Sequence, residues 1–541
     1  MRHGVVDAAG LKRMLHDGGE IALLDVREEG VFAKGHLLLA APAPLSQLEI
    51  RAPLLVPRRS ARVVLMDAGE GLAERAATVL VRHGYTDVAV LQRGLQAWID
   101  AGYEIYTGVN VPSKAFGEYV EHHDQTPRVD PAEVKAMVDR GDDLVILDSR
   151  PLDEYRSVSI PGAIDCPGAE LAYRVHDLVR SGDTLVVVNC GGRTRSIIGA
   201  QSLRNAGIPN PVVALKNGTM GWHLAGFPVD HGKERTAPPP TADGLAKALQ
   251  AAARVARRFG VRYLDAAGLD AFRREADART LYLLDVRSPE EYAQSHLRGS
   301  VSAPGGQLVQ STDAYAAVRN ARLVLIDDHG VRATMTASWL LQMGWDEVYV
   351  LRDALRYGEW VAGPQQAAVL GLDAIHCRTL PPQALQARGD EVSVLDLDAK
   401  PRYKAGHIPG AWHGIRANLA ANLGRLPAGR PIVATSADGV LARLAVPEIE
   451  ALTGIAAYAL EGGTQAWRAA GLPLEQGETR LTDDTDDVWV KVHDRAGNRD
   501  QAMKDYLSWE VDLLTQIGRD DDARFRRFPA AQQGPTTKET A

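Results

Sequence analysis

A short apolar segment that ends in aspartate occurs four times along the chain, and a tryptophan follows each copy at a nearly constant distance. The aspartate–tryptophan pairs are Asp25–Trp98, Asp148–Trp222, Asp285–Trp360 and Asp396–Trp467. Their separations are 73, 74, 75 and 71 residues. Because unrelated segments do not keep such a regular frame, we infer one duplicated unit of about 105 to 110 residues.

The repeat sets the predicted domain boundaries. We predict four domains and a tail, at residues 1–107, 129–235, 259–365, 373–478 and 479–541. A chain of 541 residues is too long for a single hydrophobic core, and four units agree with about 100 to 200 residues per domain.

Each unit has the pattern of a small α/β domain. Apolar runs such as LVILD, LVVVN and PVVAL alternate with segments of helical periodicity such as TRSIIGAQSLRNAG. Strands that are apolar at nearly every position are typical of parallel sheets buried on both faces. We therefore predict four small parallel sheets flanked by helices, plus a helical C-terminal tail.

The connectors have weaker patterns. A proline-rich segment, RTAPPP, leads into an alanine-rich stretch, for which we predict a linker followed by a helix. His122 and His123 lie in the connector between the first two units. Adjacent residues point in different directions, so we expect a solvated linker there and no metal site. In the tail we predict one helix around AMKDYLSWEVDLLTQIG and then a frayed end.

Charge and cysteine content exclude several classes of function. The formal net charge is -8, without a run of basic residues, so nucleic acid is not an expected partner. No segment approaches the roughly 20 apolar residues that cross a membrane, and the N-terminus lacks a signal-peptide core. Cys166, Cys190 and Cys377 are odd in number and lack metal-ligand spacing. We expect no disulfide framework, no metal, no cofactor and a cytoplasmic location.

The chemistry is predicted to lie in the second unit, where the strand LVVVN runs into Cys190. The loop that follows contains Gly191, Gly192, Arg193, Thr194, Arg195 and Ser196, and a helix then begins. Backbone amides and the helix dipole at such a junction form an anion cradle. Arginines and a helix N-terminus lower a cysteine pKa, so we expect Cys190 to be a thiolate near neutral pH and to act as a nucleophile.

CGGRTRS resembles the active-site loop of the rhodanese-like sulfurtransferases. The segments IPGA, GHIPGA, AGFP and AGLP are also similar to family signatures, and the resemblance covers about four fifths of the chain. It implies that Cys190 takes the outer sulfur of a donor such as thiosulfate as a persulfide and passes it to cyanide or a thiol. The same resemblance assigns Arg193 and Arg195 to the donor's sulfonate, and the amides of Gly191 to Ser196 to the persulfide.

Three units lack the nucleophile. The residues that correspond to Cys190 are Asp67, Asp327 and Ser436. A carboxylate cannot carry a persulfide and a serine has no sulfur, so we expect these three repeats to be inactive. Only the third keeps an arginine, Arg332, at the place of Arg195; the first and fourth have Leu72 and Leu441.

Other prominent residues favour structural roles. The Asp-x-Arg pairs recur in units without the nucleophile, which favours a structural ion pair or cap. The tryptophans are expected in the core. Cys166 follows the strand after IPGA and is expected to be a core or wall residue. Cys377 has no basic cradle or glycine turn and is expected to be structural.

Two other functions are left open by the residues alone. A phosphatase of the same fold also uses cysteine and arginine, but typically with five residues between them and a histidine before the cysteine. Here four residues intervene, and Asn189 precedes Cys190. The other alternative is a binding scaffold or persulfide carrier. Expected partners are small-molecule sulfur donors and acceptors, with a protein thiol as a further acceptor, and the oligomeric state is left open, a homodimer included.

Overall fold

The computed structural model describes residues 3–495 and 497–529. Within them the chain divides into two compact units. One holds residues 3–12, 22–109 and 367–490, which contain the first and fourth repeats. The other holds residues 13–21, 110–366 and 491–529 apart from residue 496, and it contains the second and third repeats. The sequence pattern does not predict this pairing.

Every repeat contains a five-stranded parallel sheet. Numbered along the chain within a repeat, the strands lie side by side in the order 1-5-4-2-3. The strands are Gly4–Val6, Ile21–Asp25, Ala41–Pro42, Val63–Met66 and Val88–Leu91 in repeat 1; Arg128–Val129, Leu144–Asp148, Ile164–Asp165, Leu185–Asn189 and Val212–Leu215 in repeat 2; Arg262–Leu264, Leu281–Asp285, Val301–Ser302, Arg322–Ile326 and Val348–Leu351 in repeat 3; and Thr379–Leu380, Ser393–Asp396, Trp412–His413, Ile432–Thr435 and Ala457–Leu460 in repeat 4. Repeat 3 adds the short strands His296–Leu297, Val318–Arg319 and Trp360–Val361.

Helices connect the strands. The α-helices are Ala8–His16, Glu29–Phe32, Leu48–Leu55, Leu72–Arg82 and Gly94–Asp100; Pro131–Arg140, Leu152–Ser157, Leu171–Arg174, Thr194–Ala206 and Gly218–Leu224; Ala266–Arg274, Pro289–Gln294, Gly305–Gln310 and Val331–Gln342; and Pro382–Arg388, Lys400–Ala405, Leu419–Asn422, Val440–Thr453 and Gly463–Ala469. Short 3-10 helices are Leu45–Gln47, Gly168–Glu170, Val175–Asp177, Thr312–Ala314, Ala354–Arg356, Leu372–Ala374, Gly389–Glu391, Arg416–Asn418, Leu423–Arg425 and Val492–Asp494. Three α-helices lie outside the repeats, at Val111–Asp124, Ala242–Phe259 and Arg499–Ile517.

The sheet order explains the apolar strands. In repeat 2 the central strand, Leu185–Asn189, has a parallel neighbour on each side, and its last four residues are buried. Both faces of such a strand need apolar side chains, which is the pattern seen in LVVVN. The predicted α/β class, with small parallel sheets flanked by helices, is confirmed.

The Asp-x-Arg motif forms a buried ion pair, as expected. In repeat 2, Arg150 donates to Asp148 from Nε at 2.9 Å and from a terminal nitrogen at 2.8 Å, and to the carbonyl of Val158 at 2.6 Å. Repeats 1 and 3 make the same three contacts. Repeat 4 lacks the arginine, and Arg468 instead donates to the equivalent carbonyl, that of Gly406, at 2.6 Å.

The tryptophans and two of the cysteines occupy the positions expected of core residues. Trp98, Trp222 and Trp467 are buried, and Trp360 is half-buried. Cys166 is buried, and burial raises the pKa of its thiol far above the usual range, against the lowering effect of Arg174. Cys377 is half-buried and packs against the core of repeat 4.

The expectation of a solvated linker at His122 and His123 is wrong. Both histidines lie on the helix Val111–Asp124, which we call the connector helix. Its other face is buried, with Phe116 packed edge-on against Trp339 of repeat 3. His122 is exposed and His123 half-buried, and this polar pair does not reveal the apolar face of the helix in the sequence.

The tail prediction is confirmed where the structure describes it. The segment AMKDYLSWEVDLLTQIG lies in the helix Arg499–Ile517, which we call the C-terminal helix, and Asn498 caps its N-terminus. It packs against the connector helix. The end of the tail, residues 530–541, lies outside the described residues. Among the helices of the described chain, none combines the length and the apolar character needed to cross a membrane.

The buried Asp-x-Arg ion pairs lead to a prediction about the free energy of unfolding. Replacing Arg287 by methionine leaves Asp285, which is fully buried, without its cation. Removing one partner of a buried pair costs about 3–5 kcal/mol. We expect a lower urea midpoint and faster hydrogen exchange in the strand Leu281–Asp285.

The matched control is Arg298→Met in the same repeat. Arg298 pairs with Glu359, and both side chains are 63% exposed. Exposed pairs contribute little, so this variant should unfold like the wild type. Equal effects of the two substitutions would contradict the structural role assigned to the buried pair.

Candidate active site

Cys190 lies where the central strand of repeat 2 ends. The seven residues Cys190–Ser196, which we call the active-site loop, lead into the helix Thr194–Ala206. The backbone amides of Thr219 and Met220 donate to the carbonyls of Cys190 and Gly191 at 2.8 and 3.0 Å. Gly218 makes this possible, because its φ is 55° and a Cβ there would overlap the carbonyl of Cys190. With its carbonyls bound outside, the loop turns its amides inward.

The cradle is visible in the other three repeats. The carboxylate of Asp67 accepts from the amide of Ala73 at 3.1 Å, and Asp327 accepts from Ala333 at 3.2 Å. In repeat 4 the hydroxyl of Ser436 accepts from Ala442 at 3.3 Å. In each case the donor is six residues after the acceptor. The loop therefore binds an anionic or polar acceptor at the position of the cysteine sulfur.

Cys190 itself is only 2% exposed. Its thiol donates to the hydroxyl of Ser196 at 3.5 Å, and that hydroxyl donates to the carbonyl of Arg193 at 2.7 Å. Burial raises the pKa of the Cys190 thiol, against the lowering effects of Arg195 and Ser196. The expectation of a thiolate near neutral pH is therefore wrong for this covered site, because desolvation outweighs the arginine and the cradle.

Arg195 is held beside the cysteine by an ion pair. A terminal nitrogen donates to Glu154 at 2.7 Å, and another reaches Gln307 of repeat 3 at 3.3 Å. Although burial opposes ionisation, pairing with Arg195 holds the pKa of Glu154 at about 2. Arg195 is also the largest influence that lowers the pKa of Cys190. Its position fits activation of the sulfur.

Arg193 has a different environment from the one predicted. All three guanidinium nitrogens are engaged, with Glu118 at 2.6 and 2.7 Å, Glu121 at 2.6 Å and Asn217 at 3.2 Å. Glu118 and Glu121 belong to the connector helix. These contacts clamp the active-site loop to that helix, and the sulfonate role implied for Arg193 has no support in its contacts.

Residues from outside the repeats cover the active-site loop. Thr194 donates through its hydroxyl to Glu510 of the C-terminal helix at 3.3 Å. A Cβ on Gly192 would lie 3.1 Å from a carboxyl oxygen of Glu510 and 3.6 Å from the ring of Tyr506. Lys114 of the connector helix lies over the Tyr506 ring. A side chain at Gly192 would therefore make a tight contact with Glu510, so the cover lies directly against the loop.

The sequence analysis did not identify Glu154 as the partner of Arg195, although a comparison of the repeats indicates it. Glu154 of repeat 2 and Glu291 of repeat 3 each follow the strand-end aspartate by six residues. They pair with Arg195 and Arg332, respectively. Repeats 1 and 4 lack both the glutamate and the arginine, so the two residues vary together. Glu510 left no such signal, because its helix is not repeated.

Repeat 3 keeps the arginine but surrounds it with acids. Arg332 is fully buried and contacts Asp327, Asp328, Glu291 and, from repeat 2, Glu170. Four carboxylates surround the guanidinium and offset its positive charge, so it attracts a further anion only weakly. The site has become an ionic bridge between the two repeats.

Metal-ligating side chains do not gather at the loop. Within the described residues, the group of histidine and carboxylate atoms close enough to share a cation is His16, Asp521 and Asp522. There His16 already pairs with Asp522 at 2.7 Å. None of the three belongs to the active-site loop.

The comparisons agree with this geometry. A model of the rhodanese-like domain matches residues 7–101, 130–225, 268–357 and 381–470. A crystal structure of thiosulfate sulfurtransferase from Pseudomonas aeruginosa is 48% identical, covers 97% of this chain and 100% of its own, and superposes with a TM-score of 0.93.

Shorter relatives match one repeat each. Thiosulfate sulfurtransferase GlpE of Pseudomonas fluorescens is 29% identical over 92 residues, which are 17% of this chain and 84% of that protein. The HTH-type transcriptional regulator Rv0324 of Mycobacterium tuberculosis is 39% identical over 92 residues, 17% of this chain and 39% of the regulator's length. Four matched domains, each with the same sheet order and the same loop, lead to one conclusion. The chain belongs to the rhodanese-like domain family.

Proposed function

We propose that this protein is a sulfurtransferase that moves sulfane sulfur from thiosulfate or a related donor to a thiophilic acceptor through a persulfide on Cys190. The observation that carries the proposal is the position of Cys190. Of the four residues that directly follow the central strands, it is the only cysteine, and it lies in a cradle that holds carboxylates in two other repeats. The name of the 48% identical relative supports thiosulfate as donor.

The proposed reaction is a double displacement. The Cys190 thiolate attacks the outer sulfur of thiosulfate, a new S–S bond forms, and sulfite leaves with the electron pair of the broken S–S bond. An acceptor such as cyanide or a thiol then attacks the outer sulfur of the persulfide. The Cys190 thiolate returns, and no external oxidant or reductant is needed.

The loop residues have separate roles in this proposal. Amides from Gly191 to Ser196 stabilise the thiolate and the persulfide, as they stabilise the carboxylates of the inactive repeats. Arg195 lowers the pKa of the nucleophile against the effect of burial. Arg193 keeps the loop in shape through Glu118 and Glu121.

The remaining expectations stay part of the proposal. The protein works in the cytoplasm, and its three cysteines are free thiols. A protein thiol is a further acceptor. The oligomeric state is left open, and a homodimer is one of the alternatives. If the chain were only a persulfide carrier, it would accept sulfur but would not turn over with thiosulfate and cyanide. A phosphatase would release phosphate from an aryl phosphate instead.

The first prediction concerns the sulfur adduct. Incubation with thiosulfate should add about 32 Da to the intact chain, the mass of one sulfur atom, and Cys190→Ser should abolish both the adduct and turnover. Intact-mass measurement followed by peptide mapping checks this result. Cys166→Ser and Cys377→Ser are the controls and should keep the full adduct. Sulfur that remains after Cys190→Ser would refute the assignment.

The second prediction concerns the pKa of the thiol. Thiolate absorbance, titrated with Cys166 and Cys377 replaced by serine, should show a Cys190 pKa above the usual value because burial disfavours the charge. Arg195→Ala should raise this pKa further. The thiolate fraction falls as the pKa rises, so persulfide formation at neutral pH should slow on the order of tenfold.

Two variants test whether the effect belongs to this guanidinium. Arg195→Lys should recover part of the rate, since the positive charge is kept without the planar fork. Arg204→Ala, at an exposed position of the same helix, should leave the pKa and the rate unchanged. An unchanged pKa in Arg195→Ala would rule out the activating role.

A further inference from the structure

The C-terminal helix brings one carboxyl group to the active-site loop. Glu510 is 2% exposed and lies beside Gly192 and Thr194. Leu507, one turn earlier on the helix, is also close to Gly192. Since the helix lies outside all four repeats, this group is an addition to the repeated fold.

The two oxygens of the Glu510 carboxyl have different surroundings. Oε1 accepts from the hydroxyl of Thr194 at 3.3 Å and from the hydroxyl of Tyr506 at 3.1 Å. Oε2 is buried without a hydrogen-bond partner and is the oxygen nearest to Gly192. In the neutral acid, the proton therefore belongs on Oε2, and the resulting O–H group faces the active-site loop.

Charged groups of both signs surround Glu510 and shift its pKa in opposite directions. Burial raises the pKa of Glu510; Lys114 lowers it, Glu118 raises it, and the Tyr506 hydroxyl and Arg193 lower it. Burial in turn lowers the pKa of Lys114 to about 8. Glu510 also adds to the raised pKa of Cys190, so the carboxyl and the thiol sense each other's charge. Burial is the largest of these influences, so the pKa of Glu510 is raised overall.

We propose that Glu510 is the acid–base group of sulfur transfer at Cys190, giving its proton to the leaving group of the donor and taking a proton from a thiol acceptor. This role rests on the proposed function and specifies how the site handles protons. Glu154 of repeat 2 also lies beside the loop, but its pairing with Arg195 holds its pKa at about 2, so it has no proton to give near neutral pH.

In the donor step, the Cys190 thiolate attacks the outer sulfur of thiosulfate. The new S–S bond forms as the bond to the sulfonate sulfur breaks, and the electron pair goes to sulfite. Sulfite is a basic leaving group, and it takes the proton from Oε2 of Glu510 to leave as hydrogen sulfite. The products are the Cys190 persulfide and an ionised Glu510.

In the acceptor step, a thiol approaches the persulfide. Ionised Glu510 takes its proton, and the thiolate attacks the outer sulfur of the persulfide. The electron pair of the broken S–S bond returns to Cys190 as thiolate, and the acceptor leaves as a persulfide anion. Glu510 is again neutral, so the cycle closes without a net change in the protein.

The test is Glu510→Gln in the full chain, with the two half-reactions measured separately. Glutamine keeps the shape and the donor–acceptor pattern but cannot give up a proton. With thiosulfate, the single-turnover rate constant of persulfide formation should fall on the order of a hundredfold at saturating donor. The thiosulfate concentration that gives half of this rate should change little. With benzenethiosulfonate, whose sulfinate leaving group is a weak base and needs no proton, the rate should stay near that of the wild type.

The second half-reaction provides an independent measurement. Enzyme loaded with benzenethiosulfonate is discharged with an alkyl thiol, which is protonated at neutral pH, or with nitrothiophenol, which is already ionised. Glu510→Gln should slow discharge by the alkyl thiol on the order of a hundredfold and leave discharge by nitrothiophenol near the wild-type rate.

The outcomes separate this inference from the proposed function. Equal losses with both donors, or no loss with thiosulfate, would overturn the acid–base role while leaving the persulfide chemistry intact. A wild-type chain that forms no persulfide with either donor would overturn the proposed function instead. Asp505→Asn, at an exposed position of the same helix, is the matched control and should behave like the wild type with every reagent.

Discussion

The amides of the turn between the central strand and the next helix need an acceptor, and the whole site depends on this requirement. A helix leaves its first N–H groups without partners inside the helix. Repeats 1 and 3 satisfy them with the carboxylates of Asp67 and Asp327, and repeat 4 with the hydroxyl of Ser436. Repeat 2 places Cys190 there. The same backbone turn thus accepts a carboxylate, a hydroxyl or a thiol without a change of fold.

The active repeat depends on elements that are not repeated. Glu118 and Glu121 of the connector helix hold the loop through Arg193, and Glu510 of the C-terminal helix closes over it. Gln307 of repeat 3 reaches Arg195. A single rhodanese-like repeat contains none of these contacts. The second compact unit, and not the second repeat alone, is therefore the unit that carries a complete site.

Sequence patterns predict the structural elements that recur in the repeats and miss the contacts made by elements that occur once. The strands, the helix after Cys190 and the Asp148–Arg150 pair follow from repeated motifs and from the buried character of a parallel sheet. The cost of desolvating Cys190 could not be predicted, because the cover comes from segments far away along the chain. The connector helix was misread for a related reason. Its polar pair, His122 and His123, is prominent in the sequence, whereas its buried face can be recognised only once its partners are known.

The order of synthesis gives the cover a further meaning. Glu510 follows Thr194, the loop residue that contacts it, by 316 residues. At the ribosome's rate of 5–20 residues per second, these residues take roughly 15 to 60 s to make, and N-terminal domains fold first. Because repeat 2 is made before its cover, Cys190 stays uncovered for that interval. The synthesis of the C-terminal helix therefore sets the time at which this cysteine is buried.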